Sequence, residues 1–370
     1  MEKEIESHQI CYYILDVTKH LLLNEPLKAL ENEKDYLALY QVAKFHELTS
    51  LVYYGIKDYL PNEIKIKWEA KVNQKLFKSI SQLEEKEKLN EILNKNNIKH
   101  CFLKGCYLKT IYPEHDYREM ADIDILIDKK DIKKVEKILI DDLGYKLDSN
   151  FGSHHLTFIK KPVYYVEIHY DLVDDDVKQF SYFHEMSKKL LSQNSLEIEM
   201  DINDYYLFFI FHAFHHYDVN GIGIRYIIDL YIFLLKNADR INKSYIEEQI
   251  EKLNIKEFYL NSISLMENIF YSKNNSVNEN FIEMIFTSGT YGTTKNRVKN
   301  EMKKKKTNRF VYMLRRLFPH PKRLKTMYPI LKKWPILYPV IYLSRPFKIF
   351  KVWKIAKSEI KEAMNYKEDE

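Results

Sequence analysis

Asp122 and Asp124 stand two residues apart in Ala121-Asp-Ile-Asp-Ile-Leu-Ile127. The β-branched residues and the alternation through Ile125 predict a strand. Side chains two apart on a strand project from one face, so both carboxylates point one way while Ile123 and Ile125 point the other. Neighbouring carboxylates repel, and a hard divalent cation such as Mg2+, which prefers oxygen ligands, relieves that repulsion. A solvated edge strand would carry the same pair without metal. Two further features favour the metal reading. Lys104-Gly105 falls where a short strand candidate, Ile98 to Leu103, runs into a helical stretch. Glycine there permits close approach of a phosphate, and a helix N-terminus offers free N–H groups. Val166-Glu-Ile-His-Tyr170 is a later strand on which Glu167 and His169 share a face. If it pairs beside the first, Glu167 becomes a third carboxylate. Each feature alone is commonplace, whereas the ordered set is specific.

That order resembles the nucleotidyltransferase superfamily: a glycine-containing turn, a paired-carboxylate strand, then a third acidic strand residue. The matching text is Phe102-Leu-Lys-Gly-Cys-Tyr-Leu108, Ile111-Tyr-Pro113, Arg118-Glu-Met-Ala-Asp-Ile-Asp-Ile-Leu-Ile127, the Leu143-Gly-Tyr145 helix end and Glu167-Ile-His169. His212-Ala-Phe-His-His216 and Ile224-Arg-Tyr-Ile-Ile-Asp-Leu230 extend it downstream. The closer likeness is to the bacterial family of uncharacterised nucleotidyltransferases, over roughly residues 90 to 235. The resemblance implies a polymerase-beta-like fold, with transfer of a nucleoside monophosphate from an NTP to an acceptor hydroxyl. It implies Mg2+ as cofactor, held by Asp122, Asp124 and Glu167, with Glu167 sharing a metal or taking the acceptor's proton. Nucleotide contacts are expected from Lys104, Gly105, Arg118 and His169. Where the superfamily's turn reads Gly-Ser, this chain reads Lys-Gly, so no serine contact carries over and Lys104 supplies charge to the triphosphate instead. The acceptor (small molecule, protein or RNA) is not chosen by these residues. A catalytically silent scaffold is the alternative, and the intact carboxylates count against it.

The elements that must position these residues fall into an α+β plan. A small mixed β-sheet core, residues 95–200, is flanked by an N-terminal helical region, 1–94, and a helical domain, 201–290. A basic segment, 291–370, follows. Lys75 to Leu93 reads as a long amphipathic helix. Asp128 is a candidate N-cap for a helix from Lys129 to Leu143, which Gly144 closes. His154 to Lys160 and Val163 to Tyr170 flank Lys161-Pro162 as a hairpin, with one of His154 and His155 turned inward and the other outward. Asp201 or Asp204 caps a helix through Tyr217, Gly221 and Gly223 break it, and Ile224 to Leu235 forms another. On the first of these, His212 shares a face with His215 or His216. Zinc would need a third ligand that the sequence does not supply, so packing or substrate contact is expected. Arg225 and Asp229, four apart, are expected to pair with each other.

The chain has 370 residues and three cysteines, too few and too badly spaced for a disulfide framework or a zinc site. That favours a reducing, cytoplasmic setting, and Met1-Glu-Lys-Glu-Ile-Glu does not read as a secretory signal. The stretch Trp334 to Leu343 is ten residues long and interrupted by Pro335 and Pro339, far short of the roughly 20 needed to span a bilayer. Charge is unevenly spread. Lys295 to Lys354 holds 19 Lys/Arg against Glu301 alone, +18 in 60 residues, which leaves −13 for the other 310 of a chain whose net charge is +5. Prolines at 319, 321, 329, 335, 339 and 346 are expected to break this segment into short pieces. A solvated surface is its plain reading. Contact with nucleic acid, through Tyr312, Phe318 and Trp334 as stacking residues, or with an anionic membrane are the sharper ones.

Overall fold

The computed structural model describes residues 2–148, 154–162, 164–305, 309–321, 324–325, 328, 330–351 and 362. Val163, Pro329 and residues 306–308 and 352–354 of the basic stretch therefore lie outside the described residues. The chain divides into two compact units, one of residues 1–214 with 223–290 and one of residues 215–222 with 291–370.

In the first unit four helices precede the sheet: α1 (Glu2–Leu23), α2 (Glu33–Phe45), α3 (Thr49–Ile56) and α4 (Asn62–Lys95). The 34-residue α4 takes in the amphipathic stretch from Lys75 and starts directly after Pro61, whose ring is tolerated only at a helix beginning. Five strands follow: β1 (His100–Phe102), β2 (Ile123–Ile127), β3 (Lys146–Leu147), β4 (His155–Lys160) and β5 (Tyr164–His169). They lie in the order β1-β2-β5-β4-β3, with β2 and β5 parallel and the remaining pairs antiparallel. The arrangement is the expected α+β one, a small mixed sheet flanked by helices.

Register is what positions the site. Asp124 faces Glu167 across β2 and β5, and Leu126 faces His169. Across β4 and β5, His155 faces His169 and Thr157 faces Glu167. Ile123, Ile125, Ile127, Val166, Ile168 and Phe158 are buried in one apolar cluster with Leu89 and Leu93 of α4. A one-residue slip of β2 would turn Asp124 into that cluster, so the isoleucines fix the side from which the carboxylates project.

Between β1 and β2 runs α5 (Gly105–Ile111). After β2 the Asp128 carboxylate accepts from the Lys130 N–H at 3.0 Å, capping a helical stretch that contains α6 (Ile132–Lys137) and ends before Gly144 at φ 72°. Helix α7 (Phe180–Leu191) was not foreseen in the sequence; its Phe183, Met186 and Leu190 are buried. Helix α8 (Ile202–Val219) starts at Asp201, whose Oδ1 accepts from the Asn203 N–H at 2.9 Å. The unit closes with α9 (Arg225–Asn237), α10 (Lys243–Lys252), α11 (Lys256–Phe270) and α12 (Glu279–Thr287).

The second unit contains helices Thr294–Lys305, Arg309–Leu317, Ile330–Lys333 and Tyr338–Lys351. The last is longer than its prolines suggested. Pro339 sits in the first turn, where a missing N–H costs nothing, and the helix continues through Pro346. Tyr312 is 2% exposed, which removes it as a stacking residue, whereas Phe318 and Trp334 are open to solvent. Among the described residues no helix is long and apolar enough to cross a membrane.

Candidate active site

The turn from β1 into α5 is closed by the Cys106 N–H donating to the Leu103 carbonyl at 3.1 Å. Lys104 occupies its second position at φ 45° and ψ −111°, a conformation in which glycine is at ease and a side chain is strained. Neighbouring contacts over-determine it. The Leu103 N–H donates to the Asp124 carbonyl at 3.0 Å, and the Tyr205 hydroxyl donates to the Lys104 carbonyl at 2.7 Å. Gly105, at the start of α5, does something else. A Cβ there would meet Met120 at 3.1 Å and Arg118 at 3.2 Å, so its smallness lets the loop before β2 pack against the turn. The glycine-like backbone thus belongs to Lys104, and Gly105 supplies clearance.

The strained turn delivers the Lys104 ammonium to the Asp124 Oδ1 at 2.7 Å. The same oxygen accepts from His169 Nε2 at 2.8 Å, and that nitrogen lies 3.3 Å from Glu167 Oε2. Glu167 Oε1 faces His155 Nε2 at 3.6 Å. One ligand atom each of Asp124, Glu167 and His169 lies within 4.8 Å of the others. Asp122 does not belong to that trio; it sits beside it and senses its charge. Burial first, and then the Asp124 charge, push the Asp122 carboxyl up to about 7. Burial also works against the Asp124 charge, but Lys104 and His169 outweigh it and hold its pKa well below the usual carboxylate range. Burial opposes the Glu167 charge as well, and its hydrogen bond to His169 lowers its pKa overall. For His169, burial and Lys104 disfavour the imidazolium, while hydrogen bonds to Asp124 and Glu167 reverse the sign and raise it. Burial pushes His155 down to about 4, so it is neutral near pH 7.

The chain matches the family described as Uncharacterised nucleotidyltransferase over residues 32–271. It belongs to that family. The match reaches well beyond the stretch from 90 to 235 that carried the resemblance in the sequence. No curated protein and no solved structure matches the chain.

In this nucleotidyltransferase the donor set suits a divalent cation. Asp124 and Glu167 offer hard oxygens within 4.8 Å of each other and of a His169 nitrogen, and the Asp122 carboxyl beside them is raised first by burial and then by the Asp124 charge.

Arg118 requires a correction. Its guanidinium is buried and turned onto Asp229, with Nε at 2.8 Å from Oδ1 and NH2 at 3.1 Å from Oδ2. The Tyr112 hydroxyl adds a third bond to Asp229 at 2.7 Å. Arg118 ties the loop before β2 to α9, and no donor fork remains for a phosphate. It follows that Arg225 does not pair with Asp229; Arg225 reaches Glu47 at 2.7 Å. Sequence spacing suggested the helical neighbour because local pairs are visible in a sequence and partners more than a hundred residues away are not.

The histidines of this nucleotidyltransferase also rearrange. His154 and His155 do not point to opposite sides: their ring centroids are 4.6 Å apart and lie 5.1 and 5.0 Å from that of His169. His154 precedes β4, so strand alternation does not govern it. Among the described residues the groups able to hold a metal are Asp124 with Glu167 and His169, and His154 with His155 and His169. His212, His215 and His216 of α8 are in neither. The adjacent His154-His155 pair, one strand away from Glu-Ile-His, was the available sequence signal.

Proposed function

We propose that the chain is an Mg2+-dependent nucleotidyltransferase that moves a nucleoside monophosphate from an NTP to an acceptor hydroxyl. The observation that carries this reading is the convergence of Lys104, Asp124, Glu167 and His169 on one sheet face, in a chain of this family. When bound at Asp122, Asp124 and Glu167, Mg2+ neutralises charge on the triphosphate. Glu167 is the more open carboxylate, with a side chain 20% exposed against 3% for Asp124. It suits the role of accepting the acceptor's proton as the new oxygen–phosphorus bond forms and pyrophosphate leaves. His169 aligns Asp124 with Glu167 from the nucleotide side, and Lys104 shares its ammonium between Asp124 and an incoming phosphate. Gly105 leaves room for Arg118 and Met120 to pack against the turn. Residues 95–200 carry this chemistry, with 1–94 and 201–290 as its helical support. Incubation of the full chain with each labelled NTP and Mg2+ tests the reading. Pyrophosphate release or labelling of an acceptor supports it, and silence with all four NTPs across RNA, protein and small-hydroxyl acceptors returns the scaffold alternative.

A second reading concerns the basic segment, where contact with an anionic membrane surface is favoured over nucleic acid. Trp334, Ile336, Val340 and Leu343 are 61–81% exposed. Three of the four are aliphatic, which suits a lipid interface, whereas base stacking needs aromatic faces. The surrounding +18 supplies attraction to acidic headgroups. A cytoplasmic location, facing an anionic leaflet, is part of this proposal. Co-sedimentation with vesicles containing anionic lipid, lost at high salt and absent with zwitterionic vesicles, is the expected result; equal binding to single-stranded nucleic acid and none to vesicles would overturn it.

A further inference from the structure

Beside the carboxylates, three imidazoles meet. One ring nitrogen each of His154, His155 and His169 lies within 4.8 Å of the others. His154 Nε2 and His155 Nδ1 are 3.4 Å apart, longer than an ordinary N–H hydrogen bond. Two nitrogens at about 2.0–2.1 Å from one tetrahedral zinc stand about 3.3–3.4 Å from each other, so this separation matches an edge of that tetrahedron.

The outer contacts have the same character. A metal-bound histidine usually donates its other N–H to a carboxylate, which fixes the ring and sharpens its basicity. His154 Nδ1 donates to Asp174 Oδ1 at 2.7 Å, which leaves Nε2 as the nitrogen facing His155. His169 Nε2 is taken by Asp124 and Glu167, and its Nδ1 is buried without a hydrogen-bond partner. An orphaned nitrogen on a histidine 0% exposed is costly unless something else satisfies it. Imidazoles select zinc and its neighbours in the transition series, whereas Mg2+ prefers carboxylate oxygen.

We propose that His154, His155 and His169 form a zinc site, distinct in ligand chemistry from the carboxylate site and joined to it through His169. Three protein ligands leave the fourth tetrahedral position for water, the arrangement of an open rather than a purely structural site. The assignment stands without the nucleotidyl-transfer reading, since neither the ring geometry nor the orphaned nitrogen depends on it.

The test uses the full chain, purified without a metal-chelating tag, stripped with chelator and titrated with Co2+ as a spectroscopic stand-in for zinc. One equivalent should give the intense visible bands of four-coordinate cobalt with nitrogen ligands, whatever further cobalt the carboxylates take up, and Zn2+ should displace it. His154→Ala should abolish the bands. Asp174→Asn, which leaves all three rings in place, should weaken Co2+ binding about 10–100-fold. Asp122→Asn should leave the bands intact, separating this site from the carboxylates. Circular dichroism checks that each variant is folded. A wild-type chain that shows no such bands, or bands that persist in folded His154→Ala, would overturn the proposal.

Discussion

Asp229 and Asp124 are both buried carboxylates facing a cation, yet their surroundings differ in one respect. Asp229 is surrounded by donors: both oxygens receive the Arg118 fork, and Tyr112 completes the set. Arg118's own carbonyl accepts from Lys109 Nζ at 2.8 Å. Around Asp124 the count tilts the other way. Asp122, Asp124 and Glu167 lie among Lys104, His169 and the neutral His155, and Lys104 and His169 both donate to the single Oδ1 of Asp124. The closed network has no opening for a ligand and serves as a strut between the loop before β2 and α9. The open one retains a carboxyl that burial and the Asp124 charge raise to about 7 and an orphaned His169 nitrogen. Perturbed, partly unsatisfied groups gathered in one place are what a binding site is made of.

The sharpest way to break that contrast is to neutralise the open network. Asp124→Asn should remove Mg2+–NTP binding and turnover altogether while the fold persists, because Ile123 and Ile125 still anchor β2. Isothermal titration with Mg2+–ATP checks it, and unchanged affinity would refute the site. Glu167→Gln should lower turnover on the order of 10²–10⁴-fold with little change in NTP affinity, as expected of a proton acceptor that acts in the transition state. Lys104→Ala should weaken both. Equal losses in the two variants would reduce both residues to electrostatic support.

The closed network should answer with stability instead. Arg118→Met strands Asp229 in a buried site, which typically costs about 3–5 kcal/mol and lowers Tm on the order of 10 °C for a unit of this size. Arg118→Met combined with Asp229→Leu should recover most of the loss in a thermal melt. A single variant that melts like wild type but loses NTP affinity would restore Arg118 as a phosphate ligand.

Much of this was legible in sequence. The Asp122-Ile-Asp124 alternation, the Glu-Ile-His strand and the Lys104-Gly105 junction are local patterns, and local patterns determine faces and turns. What stayed hidden is non-local. Arg118 finds Asp229 across more than a hundred residues, and the register of β4 brings His155 onto His169, with His154 just before the strand beside them, in a way that no composition announces. Helix α7 was missed because it lies between strand β5 and the evident caps of α8, in a stretch without punctuation of its own. That Lys104 and not Gly105 takes the positive φ is hidden as well, because glycine is the residue expected there.

A smaller effect follows from Asp122. Its folded pKa is raised, so between about 4 and 7 the metal-free folded state holds a proton that the unfolded chain has released. Stability of the metal-free protein should therefore fall as pH rises through that window. Mg2+ needs the ionised carboxylate, so its affinity should drop about tenfold per pH unit below about 7, with one proton released on binding. Titration calorimetry in buffers of differing ionisation enthalpy measures that proton. Asp122→Asn should flatten both profiles; a pH-independent affinity in the wild type would remove Asp122 from the metal site.

The subtlest difference between the networks is backbone strain, present at Lys104 and not at Arg118. Lys104→Ala and Lys104→Gly both delete the ammonium, so they lose the same ion pair to Asp124. They differ in what φ 45° and ψ −111° cost them. Alanine keeps the Cβ that this conformation disfavours, a penalty of about 1–3 kcal/mol, while glycine escapes it. Glycine's extra freedom in the unfolded chain offsets about 0.4–1 kcal/mol of that gain. The net expectation is that Lys104→Gly is more stable than Lys104→Ala by about 1 kcal/mol, read from denaturant midpoints at equal slope. Both variants should be impaired in NTP binding, since the charge is absent in each. Should the two unfold at the same denaturant concentration, the turn would be relaxing in solution to a conformation that lysine accepts. The ammonium would then be held at Asp124 by charge alone, with no contribution from a backbone bent to deliver it.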